Sequence, residues 1–182
     1  MREEYAIVLD FLPNGYPFDS APSHRKVPIV QALGITKFIV LELVAKKDIY
    51  LKAHDKIYIG DAKRDRIHHI NGKIASSKLT GTAASELPFV IENIVEENEA
   101  RFVEFFNKAQ PLSMRMHQLE LLPGLGKKHM WEIVDERKVE PFKDFADIKK
   151  RVSLLPDPKS IIVKRIIKEL DGLEKHKIFI RD

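Results

Sequence analysis

The stretch LLPGLGKKHMWEIV, residues 121–134, combines two glycines and two lysines just before an apolar repeat. Gly124 and Gly126 lack a Cβ, so the backbone there can turn tightly and approach a bulky anion closely. The first amides of a following helix have no intrahelical partners and carry the positive end of the helix dipole, which makes them a phosphate site. Lys127 and Lys128 add positive charge beside them. The pattern therefore predicts binding of an anionic backbone such as that of nucleic acid.

The two apolar members of this loop are predicted to hold its shape. Pro123 precedes the first glycine, and Leu125, between the glycines, should point back and pin the loop to the core. Because phosphate contacts position a protein without reading bases, we expect sequence-nonspecific, salt-sensitive binding. An ordinary helix–helix turn and a protein-docking surface are the alternatives. The spaced glycines, the preceding proline, the lysines and a repeat of the unit later in the chain favour nucleic acid over the ordinary turn, and protein docking stays open as the second use of such a fold.

A second basic segment, GDAKRDRIHH at residues 60–69, carries a weaker signal. Its basic side chains and a nearby tyrosine could form a loop and stacking surface for single-stranded nucleic acid. These candidate residues are Tyr58, Lys63, Arg64 and Arg66. A solvated hairpin loop explains the same residues equally well.

The sequence contains no motif that indicates a metal or cofactor site. With no cysteine, the chain has no disulfide, zinc–thiolate site or cysteine nucleophile. His68 and His69 adjoin on a predicted strand, where neighbouring side chains face opposite ways, so they should make a poor metal pair. The chain also has no G-x-S-x-G elbow, no phosphate loop ending in G-K-S/T and no H-E-x-x-H. We expect neither a metal nor a cofactor.

The N-terminal elements that must position these residues are predicted to be strands. The predicted strands are residues 5–12, 37–45, 56–60, 66–70 and 73–79. Asn71-Gly72, between the last two, favours a type I′ hairpin turn. Short strands with hairpin connections suit a compact β-barrel of the OB or S1 kind, and a small open sheet is the alternative.

The remaining elements are predicted to be helical. Ser85 can cap an amphipathic segment, one long helix or two short ones, that ends at Gln110-Pro111. Every later segment also has helical spacing. LLPG at residues 121–124 matches LLPD at residues 154–157 at an offset of 33 residues, which indicates a doubled helix-turn-helix unit.

Charge follows the same division of the chain. Residues 1–80 hold 13 Lys and Arg against 9 Asp and Glu, residues 81–110 hold 2 against 6, and residues 111–182 hold 16 against 12. Two basic modules separated by an acidic segment are indicated, with random surface variation as the alternative. We expect a β domain at 1–80, an acidic amphipathic helical connector at 81–110 and a helical domain at 111–182.

The bulk composition is that of a folded protein, with 44% hydrophobic and 32% charged residues. The first apolar run is interrupted by Asp10 and ends at Pro13, which is wrong for a signal peptide. No apolar run approaches the roughly 20 residues of a membrane span. We therefore expect a cytoplasmic protein without a membrane partner. The net charge of +4 and the pI near 9.1 slightly favour an anionic binding partner.

The pattern L-x-x-L-P-G-L-G-K-K-x-M-x-x-I-V, residues 119–134, resembles the helix-hairpin-helix motif of many DNA- and RNA-binding proteins. It departs from that motif at Met130, where the family usually has a small residue. The later copy is similar to the second member of the family's paired arrangement. Its Asp157 and Pro158 would repel phosphate and remove an amide donor, so it should be structural, with Ser160 as a helix cap.

The order of the modules also resembles a family. The segments YIGDAKRDRI, LTGTAASELPFVIENIVEENEARFVEFFNKA and LELLPGLGKKHMWEI look like an uncharacterised archaeal family of predicted RNA-binding proteins. The resemblance covers nearly the whole chain. It implies an OB-like N-terminal domain, a C-terminal helix-hairpin-helix domain, and RNA binding near the ribosome or RNA processing.

A DNA glycosylase or lyase is the enzyme alternative, because such enzymes place a helix-hairpin-helix shortly before a catalytic aspartate. Asp147 lies 21 residues after Gly126, and Lys127 or Lys128 could act as an amine nucleophile. Asp147 more naturally caps or opens a helix, however, and the N-terminal half is strand-rich rather than helical. We expect a non-catalytic binding protein.

Together these patterns predict an α+β protein with a small N-terminal OB/S1-like β-barrel followed by an all-α tandem helix-hairpin-helix domain. Its partner should be RNA rather than DNA. The backbone contacts should come from residues 123–128, helped by the N-terminal basic surface.

Overall fold

The protein was analysed as a computed structural model, which describes residues 3–180. The chain divides into two compact units, one formed by residues 3–90 with residues 169–180 and the other by residues 91–168. The first unit is therefore not continuous along the chain. In the part described, no helix is both long and apolar enough to cross a membrane.

The first unit is built on an antiparallel sheet with the strand order β4-β1-β2-β3-β5. Its strands are β1 (Tyr5–Leu12), β2 (Ile29–Gly34), β3 (Val40–Ala45), β4 (Lys56–Tyr58) and β5 (Ile67–Lys73). β-Branched and aromatic residues favour the extended backbone of β1, and every residue of β2 is buried. The apolar core of this sheet includes Val8, Val30, Leu43, Ile57 and Ile67.

The sheet curls into a half-barrel that stays open. Among the described strands, β4 pairs with β1 alone and β5 with β3 alone, so these two strands are unpaired edges. Closing a barrel requires its edge strands to pair, and β4, at three residues, offers a short edge. The chain is α+β, but the predicted OB/S1-like barrel followed by an all-α domain is wrong.

Asn71-Gly72 does not form the predicted hairpin turn. Both residues lie inside β5, where the pairing with β3 skips Asn71 as the extra residue of a β-bulge. The Asn71 amide nitrogen donates to Oε1 of Glu42 at 2.8 Å. The strand predicted at 66–70 is therefore part of the bulged strand β5. The strand predicted at 73–79 is wrong beyond Lys73, because residues 76–78 form a turn of 3-10 helix.

The helices and a small second sheet complete the chain. They are α1 (Gly81–Glu97), α2 (Glu99–Lys108), β6 (Pro111–Ser113), β7 (Met116–His117), α3 (Lys127–Val139), α4 (Phe145–Arg151) and α5 (Pro158–Leu170). The amphipathic segment forms two helices, with a break at Asn98. The predicted cap at Ser85 is wrong, since the Thr80 hydroxyl accepts from the Ala83 amide (3.1 Å) and α1 begins at Gly81.

The tandem helix-hairpin-helix domain is not formed, because no α-helix lies directly before the first glycine turn, between α2 and Gly124. Strands β6 and β7 form a hairpin there, and only Gln118–Leu121 follow as a turn of 3-10 helix. His117 and Glu120 fix that turn through a capping box, in which Oε2 of Glu120 accepts from the His117 amide at 2.8 Å. The two repeats also differ in backbone, since the positive φ falls on Gly124 in one and on Leu154 in the other.

Candidate nucleic-acid interface

The PGLG loop, residues 123–128, is fixed by one left-handed residue and one buried side chain. Gly124 has φ +83°, a conformation that side chains disfavour, and a Cβ there would lie 3.3 Å from Cγ of Pro156. Leu125 is 6% exposed, and its amide donates to the Leu122 carbonyl at 3.1 Å. The prediction that Leu125 anchors the loop is confirmed, and both glycines remain exposed.

The first backbone amides of helix α3 are open, which here means that no group of the described chain accepts a hydrogen bond from them. Gly126 precedes the helix in an extended conformation (φ −92°, ψ −178°) and provides no side chain to accept from them. The first helical bond runs from the Met130 amide to the Gly126 carbonyl at 3.0 Å. Among residues 3–180, no acceptor lies within hydrogen-bond reach of the amides of Gly126, Lys127, Lys128 or His129. These donors stand at the positive end of the α3 dipole.

The first turn of α3 adds cations where the helix dipole is already positive. It contains Lys127, Lys128 and His129 and no acid. Lys127 and Lys128 are exposed, and within the described chain neither ammonium has a carboxylate partner. Positive side chains at a helix start cost stability, so a bound anion would relieve an unfavourable arrangement.

The matching turn at residues 156–160 is closed by its own side chains. Oδ2 of Asp157 accepts from the Ser160 amide at 3.0 Å and from the Ser160 hydroxyl at 2.9 Å. Nζ of Lys159 lies 3.1 Å from Oε1 of Glu92, and this hydrogen bond raises the pKa of Lys159. The predicted cap at Ser160 is wrong, because Asp157 supplies it. The geometry leaves this turn without a site for phosphate.

Asp147, the aspartate that a glycosylase would require, lies in the first turn of α4. Its Oδ2 accepts from the Lys143 amide at 3.1 Å and lies 3.2 Å from Nη1 of Arg151. The Lys143 amide, and then the Arg151 guanidinium, lower the pKa of Asp147. Asp144 caps the helix by accepting from the Asp147 amide at 2.6 Å. The Asp147 carboxylate thus stabilises the first turn of α4. This agrees with the sequence interpretation in which Asp147 opens a helix.

A cleft of about 360 Å³ adjoins the PGLG loop within the second unit. The β6–β7 hairpin lines one side with Met114 and Met116, and α3 contributes Lys127 and Trp131. Trp131 is 58% exposed. The sequence did not predict this cleft, because the two methionines were assigned to a helix. The single exposed tryptophan beside the glycine turn was the signal that could have located it.

Three of the four N-terminal candidates hold their own loop together. They bond to nearby backbone: Tyr58 accepts from the Ala62 amide (3.1 Å), Arg64 donates to the Gly60 carbonyl (2.8 Å) and Arg66 donates to the Lys56 carbonyl (2.7 Å). Lys63, the fourth candidate, is exposed. All four belong to the first unit, whereas the PGLG loop belongs to the second.

His68 and His69 present their rings to each other. The pairing of β5 with β3 passes from His69 to Ile67 and skips His68, so a bulge breaks the alternation of sides. The two Nδ1 atoms are 2.7 Å apart, and the prediction that the rings face opposite ways is wrong. Within residues 3–180, no group of three or more His, Asp or Glu is placed to hold a metal ion.

The open half-barrel, the helical second unit and the glycine loop with its open amides define an α+β protein with a candidate anion site. The chain belongs to the family described as "Protein of unknown function (DUF655)", whose family model matches residues 2–181. The expected membership of an uncharacterised archaeal family is thereby confirmed, and RNA binding stays a prediction.

Two relatives show how closely the chain follows this family. It is 43% identical over 178 residues to "Uncharacterized protein MJ0038" of Methanocaldococcus jannaschii, with 98% of this chain and 79% of that protein covered. The crystal structure of Af1531 from Archaeoglobus fulgidus, described as DUF655, is 44% identical and superposes with a TM-score of 0.91. That match covers 98% of this chain and 100% of the other.

Proposed function

We propose that this is a non-catalytic nucleic-acid-binding protein that holds backbone phosphate at the PGLG loop. One observation carries the proposal: the open amides at the start of α3 lie beside two exposed lysines that have no carboxylate partner in the described chain. Amides and cations of this kind bind phosphate oxygens without distinguishing bases.

The contrast between the two turns supports this use of the first one. At residues 156–160, an aspartate occupies the amides and the lysine is paired. At residues 123–128, no carboxylate accepts from the amides and neither lysine is paired with a carboxylate among the described residues. An external anion is the group that would supply the missing acceptor and the missing charge.

RNA is the partner that we favour over DNA, with ribosomal or RNA-processing complexes as the setting and the cytoplasm as the location. This preference follows the sequence resemblance to predicted RNA-binding proteins. It is tested by comparing affinities for single-stranded RNA and DNA of the same sequence.

The double substitution Lys127→Gln/Lys128→Gln tests the loop directly. We expect weaker binding to every sequence tried, because the lost contacts are to phosphate. The slope of log affinity against log salt should fall by about 0.7 per lost contact on single strands and about 0.9 on duplexes. Fluorescence anisotropy of labelled oligonucleotides, repeated across a salt series, measures both quantities.

Lys149→Gln/Lys150→Gln is the matched control, since it removes the same charge from exposed residues of α4. It should preserve most of the affinity. A folded Lys127/Lys128 variant with wild-type affinity and salt slope would contradict the proposal.

A further inference from the structure

The cleft beside the PGLG loop exposes apolar side chains that folding alone does not explain. Met114 is fully exposed on the β6–β7 hairpin, Met116 is partly exposed, and Trp131 stands on α3 with more than half its surface in solvent. These side chains line one concavity of about 360 Å³, within the size range of small-ligand sites. A soluble protein that clusters exposed apolar groups in a cleft usually uses them to bind.

A buried polar side chain also lines this cleft. His117 is 7% exposed, and its Nδ1 accepts from the Leu119 amide at 3.1 Å. Nδ1 is therefore unprotonated, and the neutral ring carries its hydrogen on Nε2. Burial lowers the pKa of His117, which favours this neutral form. In residues 3–180, Nε2 has no hydrogen-bond acceptor.

The charges around the cleft fit an anionic polymer. Arg115 and Lys127 line it, and Lys127 also belongs to the PGLG loop. Glu120 is the acidic side chain among the described lining residues, and its Oε2 already accepts from the His117 amide. A phosphate at the loop would therefore stand next to an aromatic, apolar recess with an unused donor.

Resting on the proposed function, we infer that the cleft takes an unpaired nucleobase of the strand whose phosphate occupies the PGLG loop. Trp131 stacks on the base face, since aromatic rings bind bases of any sequence in this way. Met114 packs against the opposite side, and Nε2–H of His117 donates to a carbonyl or ring nitrogen of the base. The substrate class is therefore single-stranded nucleic acid, because a paired base cannot enter the cleft.

Trp131 is the single tryptophan of the chain, so its emission reports on this cleft. The probes are an oligouridylate of about ten nucleotides, in the range of such sites, an RNA duplex of the same length and an abasic phosphodiester strand. We expect the oligouridylate to change the emission on saturation. The duplex and the abasic strand should bind at the loop and leave the emission unchanged.

Trp131→Leu is the matched substitution, because it keeps an apolar side chain on the exposed face of α3. It should reduce affinity for oligouridylate by roughly tenfold or more and leave affinity for the abasic strand unchanged. Trp131→Phe should restore much of the loss. Lys127→Gln/Lys128→Gln should instead weaken all three probes.

Two results would overturn the inference and leave the proposed function standing. One is wild-type oligouridylate affinity in a folded Trp131→Leu variant, and the other is emission that stays constant while salt-dependent binding saturates. Failure of every probe, the abasic strand included, would overturn the proposed function itself. Emission changed by an acidic amphipathic peptide and by none of the strands would assign the cleft to a protein partner.

Discussion

Gly126 stands at the helix position where Ser, Thr, Asp or Asn usually caps the first amides. Its extended backbone is one that any residue can adopt, and a Cβ there would meet no atom within 4 Å. Neither conformation nor space therefore requires glycine. What glycine does provide is an uncapped helix start, which leaves the amides available to a ligand at some cost in stability.

Gly126→Asp should make the protein more stable and weaken its binding. The new carboxylate would accept from the open amides and offset the charge of Lys127 and Lys128, which is worth about 0.5–1 kcal/mol. The same carboxylate would occupy the phosphate position. Urea unfolding measures the first effect, and oligonucleotide anisotropy measures the second.

Gly126→Ala is the control, since alanine fits the same space without an acceptor. It should keep the affinity and lower the unfolding free energy slightly. Wild-type affinity in a folded Gly126→Asp variant would contradict phosphate binding at these amides.

At the scale of elements, the 3-10 turn at Gln118–Leu121 depends on an imidazole that must stay neutral. Nδ1 of His117 accepts from the Leu119 amide, and burial lowers the pKa of this histidine below its ordinary value of 6.5. Between these two pKa values the unfolded chain binds the proton that the folded chain excludes. The contribution of His117 to stability is therefore complete above pH 6.5 and is lost as the pH falls through that window.

His117→Asn should flatten this pH dependence. An asparagine oxygen can accept from the Leu119 amide and does not titrate, so the difference in unfolding free energy between about pH 7.5 and about pH 5.5 should shrink. Urea unfolding at the two pH values measures it. His24→Asn, in an exposed turn, should retain the wild-type difference, and equal behaviour of both variants would contradict this account of the turn.

The sequence predicted elements well where one residue pattern dominates. Strand β1 has the predicted bounds because YAIVLDFL is nearly all β-branched, aromatic or aliphatic. Strand β2 was missed because its Gln31, Ala32 and Gly34 have low β propensity, and tertiary burial decides its structure. The β6–β7 hairpin was missed because residues 114–122 were assigned to one helix, although Met114 and Met116 alternate as in a strand and the paired residues lie only three to six positions apart.

The candidate site also has a part that the sequence predicted and a part that it did not. Glycines, a buried leucine and lysines within six residues identify the PGLG loop, because its geometry is local. The cleft joins Trp131 to a hairpin more than a dozen residues earlier, so only the folded chain brings its walls together. The N-terminal basic residues were predicted as a nucleic-acid surface from their charge alone. Arg64 and Arg66 instead donate to backbone carbonyls, and charge in a sequence does not reveal such bonds.

At the scale of the whole molecule, residues 169–180 complete the unit that residues 3–90 begin. Both carboxylate oxygens of Glu169 accept from the backbone: Oε1 from the Ile178 amide (2.9 Å), and Oε2 from the Phe179 and Ile180 amides (3.0 Å each). Phe179 and Ile180 are buried, and the Ser76 hydroxyl donates to the Leu170 carbonyl at 3.1 Å. Residues 169–180 are thus part of the first unit.

Phe179→Ala should therefore destabilise the sheet, although the substitution lies more than 100 residues from the last strand of that sheet. Loss of a buried phenylalanine costs about 3–5 kcal/mol. Hydrogen exchange at the amides of β2, with urea unfolding alongside, measures the effect. Leu173→Ala, at an exposed position of the same segment, should change stability by about 0.5 kcal/mol or less, and equal protection of β2 in both variants would contradict the prediction.

This arrangement also determines the order in which the two units can fold during translation. The ribosome releases the five strands first, yet the segment that contains the buried Phe179 and Ile180 emerges only after the second unit. Residues 91–168 are continuous and can fold as soon as they have left the exit tunnel, whereas the first unit must wait for residues 169–180. A chain stalled with residues 169–180 still inside the exit tunnel would carry a finished second unit and a first unit without the segment that contains Phe179 and Ile180.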